Sequence, residues 1–315
     1  MQKSNNSENF VALMFLLVPT IFVILGLIFF PYDTSEMGKI VEMVMFVPLF
    51  GSLVLLGIGF FLKKDKISNK LKIAGWIIFV FYWSTRTNSL YFSEGGDFAN
   101  AFLCIAGVYV LFYIAYHEWL SLIRNENVEC LNWIAGAAAI AGIIYFGTEM
   151  TTLQMWLREI VAAQSAWVLN IFTGSVAQQD INIVWKQAHV GIIFACTAVQ
   201  SMVLFVGMML PLTKVDVRRK CYGLLITVIP IYLLNLVRNA LVVYLVGING
   251  PDFFFMAHNV IGKGGSLIAL VVLLLIVIKI LPELFDEIMS LINIYKRDGP
   301  IERFFKRYFG RKKAA

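Results

Sequence analysis

His189-Val-Gly-Ile-Ile-Phe-Ala-Cys196-Thr197-Ala-Val-Gln200-Ser201-Met202 passes from an alternating, strand-like run into a continuous apolar one, with a cysteine at the junction. The apolar run, Cys196 to Leu210, reads as a membrane span, and the reading of the whole chain as a membrane protein follows from what surrounds it. Hydrophobic residues make up 59% of the 315-residue chain, charged residues only 15%, and the mean hydropathy is +0.78. Those values lie far outside the range of soluble domains. The net charge of +6 comes largely from Lys and Arg beside apolar runs, which is the distribution of topology-setting loops and requires no nucleic-acid partner.

Apolar runs long enough to cross a hydrocarbon core of about 30 Å recur about eight times. They are Phe10 to Phe30, Val41 to Leu62, Leu71 to Ser84, Phe98 to Tyr116, Leu131 to Gly147, Cys196 to Leu210, Cys221 to Gly247 and Val260 to Leu281. The third and sixth are short. No small-residue cleavage site follows the first run, so it is expected to remain as a helix. Lys63, Lys64, Lys66, Lys70 and Lys72 follow the second run, and Lys214, Arg218, Arg219 and Lys220 the sixth. Arg303, Lys306, Arg307, Arg311, Lys312 and Lys313 follow the eighth. Eight spans with both termini in the cytoplasm put all three clusters inside.

The expected fold is therefore an all-α polytopic membrane protein, organised as N-terminal transmembrane helices over 1–148, a functional region over 149–282 and a basic cytoplasmic tail over 283–315. Within the segment from Glu149 to Ala195, Leu153, Trp156, Leu157, Ile160, Val161, Trp167, Val168 and Ile171 recur at helical spacing opposite Gln154, Arg158, Glu159 and Ser165. This pattern predicts an amphipathic helix in the outer interface. Ile181 to Trp185 and Val190 to Phe194 read as a short hairpin around Lys186-Gln187-Ala188, delivering the chain to Cys196.

Three segments then bring chemistry to one depth. Arg238 lies 17 positions after Cys221, about 26 Å along its helix and near the outer edge of the core. Cys196 opens its span from that side, and His258 precedes the last span from it. Tyr232, Asn235, Arg238 and Asn239 form a polar stripe on an apolar helix; Cys196 with Gln200, and Thr197 with Ser201, are i,i+4 partners. An intramembrane arginine is costly unless it faces protein or water, and so marks function by default. A thiol beside a cation and a helix N-terminus is held toward the thiolate. Read alone, however, Cys196 is a small hydrophobe, Arg238 snorkels and His258 caps a helix. Cys104, Cys130 and Cys221 fall elsewhere in this topology, which leaves Cys196 with no disulfide partner. His117 and His189 read as structural.

The residues Ala195-Cys196-Thr197-Ala198-Val199-Gln200-Ser201-Met202, then Asn235 and Arg238-Asn239, then His258, resemble the exosortase/archaeosortase family of membrane transpeptidases. The resemblance runs by motif from about Trp185 to Ser266. It implies that Cys196, Arg238 and His258 form the catalytic set, with Thr197, Gln200, Ser201, Tyr232, Asn235, Asn239 and Asn259 supporting it or binding substrate. Ala198 departs from the family pattern, which has Gly there. What the resemblance implies is a thioester mechanism that needs no cofactor and no metal. Its substrates would be exported surface proteins bearing a C-terminal tripartite sorting signal, with a membrane lipid as acyl acceptor at the outer face of the cell membrane. A protease that only hydrolyses the signal, and a non-catalytic transporter or lipid-handling protein, remain the alternatives.

Overall fold

The computed structural model describes residues 2–62, 66–92 and 98–309. Lys63 and Lys64 of the first basic cluster, and Arg311, Lys312 and Lys313 of the last, lie outside the described residues. The helices are α1 Gln2–Phe29, α2 Glu36–Phe61, α3 Lys66–Thr85, α4 Thr87–Phe92, α5 Phe98–Arg124, α6 Glu129–Glu149 and α7 Leu153–Thr173. They continue as α8 Val199–Met209, α9 Val217–Asn249, α10 Lys263–Ile280, α11 Pro282–Ile292 and α12 Pro300–Phe309. Three strands, β1 Ala177–Gln179, β2 Asn182–Trp185 and β3 Ala188–Gly191, lie between α7 and α8.

Local chemistry sets the ends of these elements. The Ser35 hydroxyl accepts from the Gly38 N–H at the start of α2, and Asp216 accepts from the Arg218 N–H at the start of α9, each satisfying an otherwise orphaned donor. Gly174 at φ +65° and Gly250 at φ +90° stop α7 and α9 in a conformation that glycine adopts freely. Pro19, Pro48 and Pro230 sit inside helices, as neighbouring helices permit in membrane proteins.

Among the described residues six helices are long and apolar enough to cross a membrane: Glu8–Phe29, Glu36–Phe61, Phe98–Arg124, Glu129–Glu149, Val217–Asn249 and Pro251–Ile280. The two others of the eight expected spans are the short ones. α3 carries Lys66, Lys70 and Lys72, and α8 has 11 residues, about 16 Å of rise. Lys72 is not the loop cation that the sequence suggested. It is 2% exposed inside α3, with Nζ 3.0 Å from the equally buried Glu118 of α5.

The chain divides into two compact units, Met1–Ala139 with Glu287–Ala315, and Ile140–Asp286. In the first, α3 packs on α2 and α5, and α12 lies along α1. In the second, α9 is the spine against which α7, α8, α10 and the sheet pack. Its core joins Val161, Ala162, Ala166 and Leu169 of α7 to Ile183, Trp185, Ala188 and Val190 of the sheet. Leu236, Ala240, Val243 and Val246 of α9 complete it, and Cys196 and Ala257 belong to the same cluster.

The expected hairpin is present and carries an additional strand. Lys186-Gln187 form a two-residue turn, with Lys186 at φ +50°, and so fix the register that sets Ile183 against Val190 and Trp185 against Ala188, all facing the core. The second strand begins two residues earlier than the hydropathy suggested, and the chain leaves the sheet at Ile192. β1 pairs antiparallel with β2; its residues Ala177, Gln178 and Gln179 are all exposed, so no buried alternation marked it in the sequence.

Candidate functional site

Cys196 sits in a 3-10 turn, Phe194–Thr197, closed by a hydrogen bond from the Cys196 N–H to the Ile193 carbonyl and by one from the Thr197 hydroxyl to the Phe194 carbonyl. The thiol is therefore not the first residue of a helix, as the sequence suggested. Ala198 intervenes in the left-handed conformation, φ +64°, and α8 begins at Val199. This break overturns the expected i,i+4 pairs: the face that would join Cys196 to Gln200 and Thr197 to Ser201 is interrupted at Ala198, and Gln200 is exposed. It also gives the Ala198 position its meaning, because a left-handed residue favours Gly.

α9 reaches Cys196 through its backbone. The Nδ2 atoms of Asn235 and Asn239 donate to the Cys196 carbonyl at 2.7 and 3.1 Å. Both side chains are buried, and Asn239 also lies 3.5 Å from the hydroxyl of Ser165 on α7. Tyr232, one turn earlier, donates to Gln164 of α7 at 2.5 Å. The polar stripe read on α9 is thus an interface stripe, and α9 is long enough to carry it: 33 residues rise about 50 Å, well beyond a hydrocarbon core.

Arg238 is on the same helix, between the two asparagines in sequence, and lies against Gly262. Its Nε is buried without a hydrogen-bond partner among the described residues. A Cβ built on Gly262 would come 3.1 Å from it and from the Ala257 carbonyl, so the bare backbone at 262 lets the guanidinium lie close against this helix. Gly262 ends a π-helical segment, Met256–Gly262, that contains His258. His258 thus lies within a continuous helical rod, Pro251–Ile280, and not before it; π-turns of this kind recur at functional sites. The imidazole is half-buried, stacked on Phe254 with ring centroids 5.2 Å apart and planes 7° apart. Ala257 beside it is fully buried in the core that holds Cys196. Asn259 follows, half-buried.

α7 supplies what the sequence reading missed. Its polar residues were expected to face water. Instead Ser165 is fully buried, and the Nε of Arg158 donates to the Ile192 carbonyl at 2.8 Å, four residues before Cys196. Trp156, Trp167 and Ile171 are exposed. Ala162 and Ala166, four apart and both buried, were the available signal, since small residues one turn apart mark the face along which helices approach closely in membranes. Among the described residues no three His, Cys, Asp or Glu side chains gather as a metal site requires.

The fold places the chain among multi-pass integral membrane proteins. Within that class its family is specific: the profile of the transmembrane exosortase family (Exosortase_EpsH) matches residues 45–277, and the chain belongs to that family. The chain is also similar to archaeosortase A of Haloferax volcanii, with 22% identity over 276 residues, covering 75% of this chain and 88% of that protein. Its similarity to archaeosortase A of Natronomonas pharaonis is 24% identity over 264 residues, covering 72% and 81%. No solved structure matches significantly.

Proposed function

We propose that this protein is a membrane cysteine transpeptidase that removes a C-terminal sorting signal from exported surface proteins and passes the new C-terminus to a lipid. The observation that carries the reading is the clamp on Cys196: α9 fixes its carbonyl through Asn235 and Asn239 and bears, between them in sequence, a guanidinium whose buried Nε has no hydrogen-bond partner among the described residues. A polar group buried without a partner is unfavourable, and an anion forming beside it would supply one. In this mechanism the Cys196 thiolate attacks the scissile carbonyl. The S–C bond forms, the C–N bond breaks, and His258 gives its proton to the leaving amine. Arg238 stabilises the thiolate or the oxyanion. A lipid amine then attacks the thioester, His258 takes its proton, and the thiolate leaves. Thr197, Gln200, Ser201, Tyr232 and Asn259 would act as supporting or substrate-binding groups.

The apolar core around Cys196 favours transfer over hydrolysis, because water is scarce there and an acceptor presented by the membrane is concentrated. In the matching topology the chain crosses eight times with both termini inside, residues 149–282 form the catalytic region, and the site opens outward. Probes at Asp180 and Asp252 would then be labelled from outside, and probes at Lys214 would not. The paired charges that a transporter would carry occur at Lys72 and Glu118, but they are buried against each other.

The deciding experiment is co-expression with an exported protein that carries such a signal, followed by intact-mass analysis. Cys196→Ala removes little volume and is expected to abolish processing at normal protein abundance. Arg238→Lys keeps the charge but loses the planar fork, and is expected to impair processing severely. A product bearing lipid on its new C-terminus supports transfer. A free carboxylate, formed at the same rate with or without amine-bearing lipid, leaves a membrane protease, and wild-type processing by Cys196→Ala ends the enzyme reading.

A further inference from the structure

We infer that Asn235 and Asn239 are positioning residues: their amide hydrogens hold the peptide of Cys196 in the conformation that presents the thiol, so the acylation rate depends on them although neither touches substrate. The inference rests on Cys196 being the nucleophile proposed above. The two residues are one helical turn apart on α9, so their Nδ2 atoms reach the same oxygen, at 2.7 and 3.1 Å. A carbonyl oxygen has two lone pairs, and both are engaged. Asn239 has a second amide hydrogen, and the buried Ser165 hydroxyl lies 3.5 Å from that nitrogen. Both asparagines are more than nine-tenths buried, 7% and 5% exposed.

The consequence is visible in the path of the chain. Had α8 begun at Cys196, the Cys196 carbonyl would accept from the backbone N–H of Gln200. Instead the Met202 N–H bonds to the Ala198 carbonyl at 3.0 Å, and the Cys196 carbonyl is turned to α9. The chain changes direction at Ala198, φ +64°. A left-handed alanine is unfavourable and persists only where its surroundings over-determine it. Two buried amides on the carbonyl two residues earlier supply that constraint. They keep Cys196 out of the helix, in a short turn whose peptide plane sets the direction of its Cα–Cβ bond. Displacing a reacting group by about 1 Å costs on the order of 100-fold in rate, so loss of this clamp is expected to be read in the chemical step.

Leucine at either position keeps the volume and removes the donors. Aspartate keeps the shape and donates only when protonated; ionised, it faces the carbonyl with like charge, a state disfavoured in an apolar core. Processing is measured in membranes across pH for both substitution types at each position. In detergent, alkylation of Cys196 by iodoacetamide is followed by mass mapping of its peptide. The Leu variants are expected to slow processing by about 10- to 100-fold at every pH. Relative to wild type at the same pH, the Asp variants are expected to come close at the acid end and to fall behind as pH rises, and Cys196 alkylation, read as the ratio to the wild-type rate at each pH, is expected to follow the same course.

Leu variants that process at the wild-type rate, with Cys196→Ala inactive, would overturn the inference and leave the enzyme reading standing. If the Leu variants do not accumulate as folded protein, the Asp profile decides: a base-side loss supports positioning, and a profile that matches wild type up to about pH 10, where even a buried carboxyl is ionised, refutes it. Processing by Cys196→Ala would remove the nucleophile reading itself, and this inference with it.

Discussion

At the scale of single residues, Ala198 joins backbone geometry to the proposed chemistry. Its Cβ occupies a left-handed conformation that disfavours side chains by about 1–2 kcal/mol. Glycine there removes that cost but gains freedom in the unfolded chain, worth about 0.4–1 kcal/mol. Ala198→Gly is therefore expected to leave thermal stability within about 1 kcal/mol of wild type and to retain processing. Ala198→Val places a branched side chain in the same conformation and is expected to lower the melting temperature in detergent and to slow processing at least tenfold. Equal behaviour of the Gly and Val proteins would show that the turn relaxes to another conformation. The residue types of the site were legible in the sequence because a thiol, a guanidinium and amides are rare in apolar runs. Their mutual contacts were not, because the clamp uses the backbone carbonyl of Cys196, a group that every residue possesses.

At the scale of elements, hydropathy marked the long helices and the hairpin, and failed where an element's environment is protein on both sides. α7 showed a polar face, and polarity alone could not say whether Arg158 and Ser165 meet water or a neighbouring helix; they meet the Ile192 carbonyl and Asn239. Lys72 was legible as a basic residue beside a span, and its burial was not, because its partner Glu118 lies 46 positions away on α5. The π-turn around His258 left no periodic signature in seven residues. The seating of the sheet on α9 depends on one missing side chain. A Cβ at Gly247 would come 2.4 Å from the Trp185 ring, which is itself stacked on Tyr244 at 5.4 Å. Overpacking of this kind costs about 1–3 kcal/mol. Gly247→Ala is thus expected to lower the melting temperature and to reduce processing, because β2 and β3 lead directly into the Cys196 turn. Pairing it with Trp185→Phe, which shortens the ring, is expected to recover part of the loss. An unchanged melting temperature in Gly247→Ala would mean that the sheet is not seated through this contact.

At the scale of the whole chain, the last helix reaches back to the first. Arg303 and Arg307 of α12 pair with Glu8 of α1 at 2.8 and 2.5 Å. Glu302, 7% exposed, accepts hydrogen bonds from Tyr113 at 2.5 Å and Tyr116 at 3.1 Å on α5. His117 Nε2 lies 3.3 Å from the same carboxylate, within ion-pair range though off the line of a good hydrogen bond. The sequence showed only a basic segment here; an acidic residue that anchors it runs against the composition of its surroundings. Burial works to raise the Glu302 pKa, but the contacts from His117 and Tyr113 outweigh it and hold the carboxyl at about 2, below its ordinary 4.5. A carboxylate whose pKa is depressed on folding contributes stability above its unfolded value, and that contribution is lost as pH falls through the folded one. The window for Glu302 is therefore from pH 4.5 down to about 2. Glu302→Gln keeps the shape and removes the charge, so it is expected to melt below wild type at neutral pH. Between pH 4.5 and 2 the gap in melting temperature should close, because wild type then carries a neutral side chain as well. A gap that stays constant across that window would mean that the anchor works through shape and hydrogen bonding alone, with no contribution from the carboxylate charge.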